Sequence, residues 1–170
     1  MKNKIFSGIM AVIFVCGFAF YGYADDSKKI GMDQMISALS FPTSATGERS
    51  IGDAGQKRAI SLAIRFKKDS FELTPDAIET LDILGKALNS DRLKEFNFLV
   101  EGYTDASGSK DYNMDLSSKR ADAVKVFLVR NYKIDANRLP TQGKGETGLV
   151  DKNNPNSEVN RRVRIVNEGR

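Results

Sequence analysis

Asp105, Asn113, Ser117 and Arg120 fall within one short stretch, GYTDASGSKDYNMDLSSKRA (102–121), and are the residue types that hold a charged, hydrogen-bonding ligand. If a helix opens near Ser109, Leu116, Val124, Phe127 and Leu128 form its apolar face. At about 3.6 residues per turn, Asn113, Ser117 and Arg120 sit in the middle of that same face. A buried guanidinium without a counter-ion costs on the order of several kcal/mol. Asp105, in the Gly-containing loop just before the helix, is the acid nearest in sequence that could pair with it. Spacing alone leaves two readings open. One is a structural clasp between Asp105 and Arg120, and the other is a small binding site held beside a loop.

The order of the residues adds information. Thr104-Asp105, Gly108, Asn113, Leu116-Ser117 and Arg120-Ala121, followed by Asn160-Arg161-Arg162-Val163, resemble the OmpA-like C-terminal domain family. That family includes the peptidoglycan-associated lipoproteins and the periplasmic part of flagellar stator proteins. The resemblance covers roughly residues 58 to 168. It implies non-covalent binding of the peptidoglycan stem peptide, chiefly through diaminopimelate, with no cofactor and no catalytic residue. Carried onto this chain, it places ligand contacts at Asp105, Asn113, Leu116 and Arg120, with Thr104 beside them. Asp69 matches a position that some members use for the same ligand. Lys67 departs from the Asp that many members carry there. Arg161 and Arg162 match the terminal strand, and the sequence leaves open which of them faces the site.

Composition removes many other functions. The chain has 170 residues, a single-domain length with room for one core. It has no His and one Cys, Cys16. That removes Ser-His-Asp and Cys-His catalysis, most zinc and transition-metal sites, and any disulfide within the chain. Formal charge is +4, but taking Lys2 and Lys4 from the 26 basic residues leaves 24 against 22 acidic ones. A nearly balanced domain with no basic run interleaved with aromatics does not suit nucleic acid.

The N-terminus has the layout of a secretory signal peptide. Lys2 and Lys4 precede an apolar run, Ile5 to Tyr21, and Gly22-Tyr23-Ala24 places small residues at −3 and −1 for cleavage before Asp25. The rivals are an uncleaved anchor and lipidation at Cys16. The run is short for a bilayer span of about 20 apolar residues, and Ile13-Phe14-Val15 lacks the small residues expected before a lipidated Cys. The expected location is the periplasm, in association with peptidoglycan or the outer membrane.

Three segments follow: a signal peptide over 1–24, a linker over 25–58 and a folded domain over 59–168. The linker holds an amphipathic patch, Met32 to Leu39, that predicts a short helix, then Pro42 and a Ser/Thr/Gly-rich stretch. In the domain, Ile60, Leu62, Ile64 and Phe66 alternate as in a half-buried strand. Thr74-Pro75-Asp76 opens a helix with Thr as N-cap and Pro at its first position, and Ala77, Leu81, Leu84 and Leu88 share one face. Phe96, Phe98 and Val100 predict a second strand, ending at Gly102. A second helix runs to about Asn131, a third strand covers Gln142 to Glu146, and a fourth covers Arg162 to Val166. This βαβαββ order makes an α/β (α+β) sandwich with helices on one face of a mixed four-stranded sheet. The strand order comes from the family resemblance.

The proposed chemistry suits these residues. The free end of diaminopimelate carries an ammonium and a carboxylate on one carbon. Asp105 can accept from the first, and the Arg120 fork can bind the second through two parallel bonds. Asn113 both donates and accepts, as a peptide amide requires. Weaker motifs fail on context. Ser107-Gly108-Ser109-Lys110 fits SxxK, but the companion SDN and KTG motifs of penicillin-binding proteins are absent. The acidic loop Asp105–Asp115 lacks EF-hand spacing, and Gly143-Lys144-Gly145 lacks the continuation of a phosphate loop. The expected function is therefore a non-catalytic peptidoglycan-binding module linking envelope components to the wall. Its rival is an envelope protein–protein interaction module that keeps the fold without the ligand, docking an outer-membrane or other envelope protein.

Overall fold

A computed structural model of the chain describes residues 30–41, 57–67 and 69–170. The expected signal peptide and Cys16 lie outside the described residues. Helix α1 (Met32–Leu39) comes first, followed by β1 (Ala59–Leu62), α2 (Pro75–Leu88), β2 (Asn97–Gly102), α3 (Lys110–Tyr132), β3 (Thr141–Gly143) and β4 (Val163–Gly169). The strands form one mixed sheet in the order β1-β4-β2-β3. Among the described residues, β2–β3 pairs in parallel, and β1–β4 and β2–β4 pair antiparallel. Parallel neighbours need a crossover connection, and α3 supplies it.

Local signals account for most of these elements. The Thr74 hydroxyl accepts from the Ala77 amide and Pro75 occupies the first turn of α2, whose Ala77, Leu81, Leu84 and Leu88 are buried. Ser109 caps α3 by accepting from the Tyr112 amide at 3.2 Å. Ile60 and Leu62 of β1 point inward, but the strand ends at Leu62, and Phe66 instead forms a short bridge with Leu73. Beyond β3 the chain turns at Gly145, whose φ of +53° lies in the left-handed region. The third strand is therefore shorter than its expected extent to Glu146.

Helix α1 does more than sit in a linker. Met35, Ile36 and Leu39 are buried among the core residues of the sheet and α2. The Leu39 carbonyl accepts from the Asn167 amide side chain of β4 at 2.8 Å. The amphipathic patch thus closes one end of the core.

The placement of α3 matters most for the site. A Cβ on Gly102 would overlap the Ser117 carbonyl, and one on Gly143 would overlap the Ser118 hydroxyl. Glycines at facing positions of β2 and β3 let the helix lie directly on the two strands. The Ser117 hydroxyl then accepts from the Gly145 amide at 2.9 Å. Polar residues occupy the buried face of α3 because that face meets backbone, which hydrogen-bonds them.

Candidate functional site

Beyond Gly102 the β2 chain runs on into Tyr103, Thr104 and Asp105, all buried. The Thr104 amide bonds to the Gly145 carbonyl at 2.9 Å, while its buried hydroxyl has no hydrogen-bond partner among the described residues. Asp105 is 6 % exposed and tightly held. Its Oδ1 accepts from the Ser107 amide at 3.1 Å and hydroxyl at 2.5 Å. Its Oδ2 accepts from Arg161 Nη1 at 2.8 Å. Burial pushes the Asp105 carboxyl up, but the Ser107 hydroxyl, Arg161 and the Ser107 amide together outweigh it and hold the pKa below 3.8.

The partner of Asp105 is thus Arg161 and not Arg120, a correction to the clasp read from helix spacing. The reason is topological. A short 3-10 turn, Glu158–Asn160, ends just before β4 and delivers Arg161 to the loop after β2, its neighbour in the sheet. The Glu158 carboxylate accepts from the second arm of the Arg161 fork. Arg162 turns elsewhere. Its guanidinium lies 3.9 Å from the centre of the Tyr103 ring and donates to the Gly148 carbonyl. Of the two terminal arginines, Arg161 faces Asp105 and Arg162 braces the loop beside it.

Arg120 is only 7 % exposed. Its Nε donates to the Ser70 carbonyl at 3.1 Å, and its guanidinium lies 5.0 Å over the Phe66 ring. No carboxylate among the described residues forms an ion pair with it. Burial lowers its pKa, the neighbouring Arg161 adds to this, and Tyr112, Asp105 and Asp69 oppose it. Asp69 is exposed, in a loop where its own φ is +48°, a conformation that Asp tolerates better than most residues. That loop presents the Ser70 carbonyl to Arg120, and Lys67 is occupied by Glu72 at 2.5 Å.

Asn113 lies on the buried face of α3, as the helix spacing predicts. It is 2 % exposed, and its Nδ2 donates to Glu146 at 2.7 Å and to the Gly108 carbonyl. A Cβ on Gly108 would stand 2.8 Å from its Oδ1. Asn113 ties the Asp105 loop to the turn after β3 from behind. Leu116 is half-buried on α3.

Asn160 is the organiser that the sequence concealed. It is fully buried; its Oδ1 accepts from the Val150 and Asp151 amides, and its Nδ2 donates to the carbonyls of Asp151, Asn154 and Pro155. The Pro155 carbonyl also accepts from the Ala106 amide at 3.1 Å, next to Asp105. One side chain therefore sets the polar loop that steadies the Asp105 loop. Its only sequence signal was an Asn directly before two arginines. Asn160→Ala is expected to cost about 2–3 kcal/mol by orphaning buried backbone groups. Urea unfolding checks this, and an unchanged midpoint would refute it.

Comparison with known proteins gives a consistent picture. Residues 65–163 match the model of the OmpA family. The chain is 38 % identical over 80 residues to the peptidoglycan-associated lipoprotein of Pseudomonas aeruginosa, covering 47 % of this chain and 45 % of that protein. It is 37 % identical over 90 residues to outer membrane protein A of Klebsiella aerogenes, covering 53 % of this chain and 25 % of that protein. The chain thus spans less than half the length of these two relatives. The crystal structure of the peptidoglycan-associated lipoprotein from Burkholderia pseudomallei superposes with a TM-score of 0.53 at 25 % identity, covering 64 % of this chain and 89 % of that one.

Proposed function

Because this chain belongs to the OmpA family, we propose that it is a non-catalytic module that binds peptidoglycan through the diaminopimelate of the stem peptide and links envelope components to the wall. One observation carries the reading. Arg120 is a buried cation with no carboxylate partner among the described residues, beside an ionised, buried Asp105. Burying a charge is tolerated where something supplies the opposite one, and the arrangement suits a ligand carboxylate. Asp105 is the acceptor for the ligand ammonium, Arg120 the donor to its carboxylate. Asp69 and Arg161 line the approach, and Asn113 and Asn160 hold the loops in place.

The names of the relatives agree with this reading, two of them being called peptidoglycan-associated. A histidine-free chain suits recognition better than acid–base chemistry. Among the described residues no helix is long and apolar enough to cross a membrane. An exported domain of this kind acts between the wall and an outer-membrane or other envelope partner.

Calorimetric titration with a diaminopimelate-containing muropeptide, beside co-sedimentation with purified sacculi, tests the proposal. Saturable binding in both is expected. Absence of both would point to the envelope protein–protein module.

A further inference from the structure

Asp105 already has donors on both oxygens: Ser107 on Oδ1 and Arg161 on Oδ2. An ammonium that reaches this carboxylate must therefore share it with Arg161 or displace it. The two cations beside it are held differently. Arg120 is buried, bonded to the Ser70 carbonyl and stacked on Phe66. The Arg161 side chain is 37 % exposed, and its second anchor, Glu158, is 77 % exposed. Arg161 can leave Asp105 while keeping Glu158, whereas Arg120 stays.

Charge decides which ligands can drive that exchange. Asp105, Arg120 and Arg161 together carry a net positive charge in the inner site, and the acids outside it, Asp69 and Glu158, are exposed and screened. A group with only an ammonium gains Asp105 but faces two guanidiniums and offers the displaced Arg161 nothing. A group with both an ammonium and a carboxylate replaces the broken pair with two new ones. Its ammonium takes Asp105, and its carboxylate receives Arg120 together with the released Arg161.

Resting on the diaminopimelate reading above, we infer that Arg161 is a specificity-determining residue, a resident counter-ion that yields Asp105 only to a zwitterionic ligand group. Lysine-type stem peptides, and diaminopimelate whose free-end carboxyl is amidated, bring a monocation and are turned away. This selectivity is built from exclusion as well as attraction.

The test uses the full chain and three muropeptides that differ only at the third residue: diaminopimelate, diaminopimelate amidated at the free end, and lysine. Calorimetry on wild type is expected to favour the first over the other two by at least about thirtyfold. In Arg161→Gln the two monocationic forms are expected to bind more tightly than they do to wild type, collapsing the preference to a few-fold. Arg161→Lys, which keeps the resident charge without the fork, should retain an intermediate preference, with circular dichroism confirming the fold of each variant. Equal weakening of all three ligands in Arg161→Gln, or an unchanged preference, overturns the inference while leaving the diaminopimelate reading intact. Equal affinity of wild type for all three overturns the inference and, with it, the role of Arg120 as donor to the ligand carboxylate. No binding of any ligand by wild type overturns both.

Discussion

Arg120→Met is expected to abolish most muropeptide binding while leaving the domain as stable as wild type. The two halves of this result come from the same feature. Arg120 brings a charge into a buried position with one neutral hydrogen-bond acceptor, the Ser70 carbonyl, and the face of Phe66. Its desolvation cost is of the order of several kcal/mol, against which a charge-assisted bond returns about 1.5–3 and the ring contact about 0.5–2. Met keeps the apolar stem on Phe66 and removes the charge, so the melting temperature is expected to hold or rise. Binding loses the fork that receives the ligand carboxylate, at least about 2 kcal/mol or thirtyfold in Kd. Calorimetry with a diaminopimelate muropeptide and a thermal melt read the two halves separately. A folded variant with unchanged affinity would remove Arg120 from the ligand site, and a variant that fails to fold would make it a structural brace.

This divergence between stability and binding also marks what the sequence could reveal. Arg120 is visible because a charged residue interrupts the apolar period of α3, and Thr74 is visible because a helix cap is local. Their signals lie within a turn or two of the residue concerned. The partner of Asp105 lies 56 positions away, brought in by a 3-10 turn before a strand whose place in the sheet no local pattern encodes. The same holds for Asn160, whose bonds all go to the backbone of a loop with no periodicity. The contacts of Phe66 and Ser70 with Arg120 are hidden for another reason. Phe66 continues an alternating pattern after the strand has ended, and Ser70 contributes a carbonyl, which carries no residue-type signal. Asn113 was recognised as buried and polar, but only its contacts to Glu146 and Gly108 reveal that it holds the loops together. Position within an element was legible, and the contacts between elements were not.

Asp105→Asn is the complementary experiment, with losses in both binding and stability. The substitution nearly preserves shape and leaves an acceptor for Ser107, but it removes the charge facing Arg161 and, through space, Arg120. Truncating one member of a buried, hydrogen-bonded charge pair costs about 2–5 kcal/mol in binding systems, so muropeptide affinity is expected to fall by thirtyfold or more. The pH dependence identifies the cause. The folded Asp105 titrates below its ordinary value of 3.8. Between the two values the unfolded chain binds more protons at this group than the folded one, so stability rises with pH there. Its contribution is complete above the unfolded value and drains away as pH falls through the folded one. Ser107 and Arg161 bond to it and Arg120 feels its charge, and the chain has no histidine to add a neutral-range transition. Wild-type affinity should therefore stay level from neutral pH down to about 4 and drop below it. The stability gap between wild type and Asp105→Asn should close over the same acid range. Urea unfolding of both proteins at several pH values reads the gap. A gap that stays constant down to pH 2 would mean that the Asp105 carboxylate is not the titrating acceptor, and with it would go the ammonium-binding role that the site is built around.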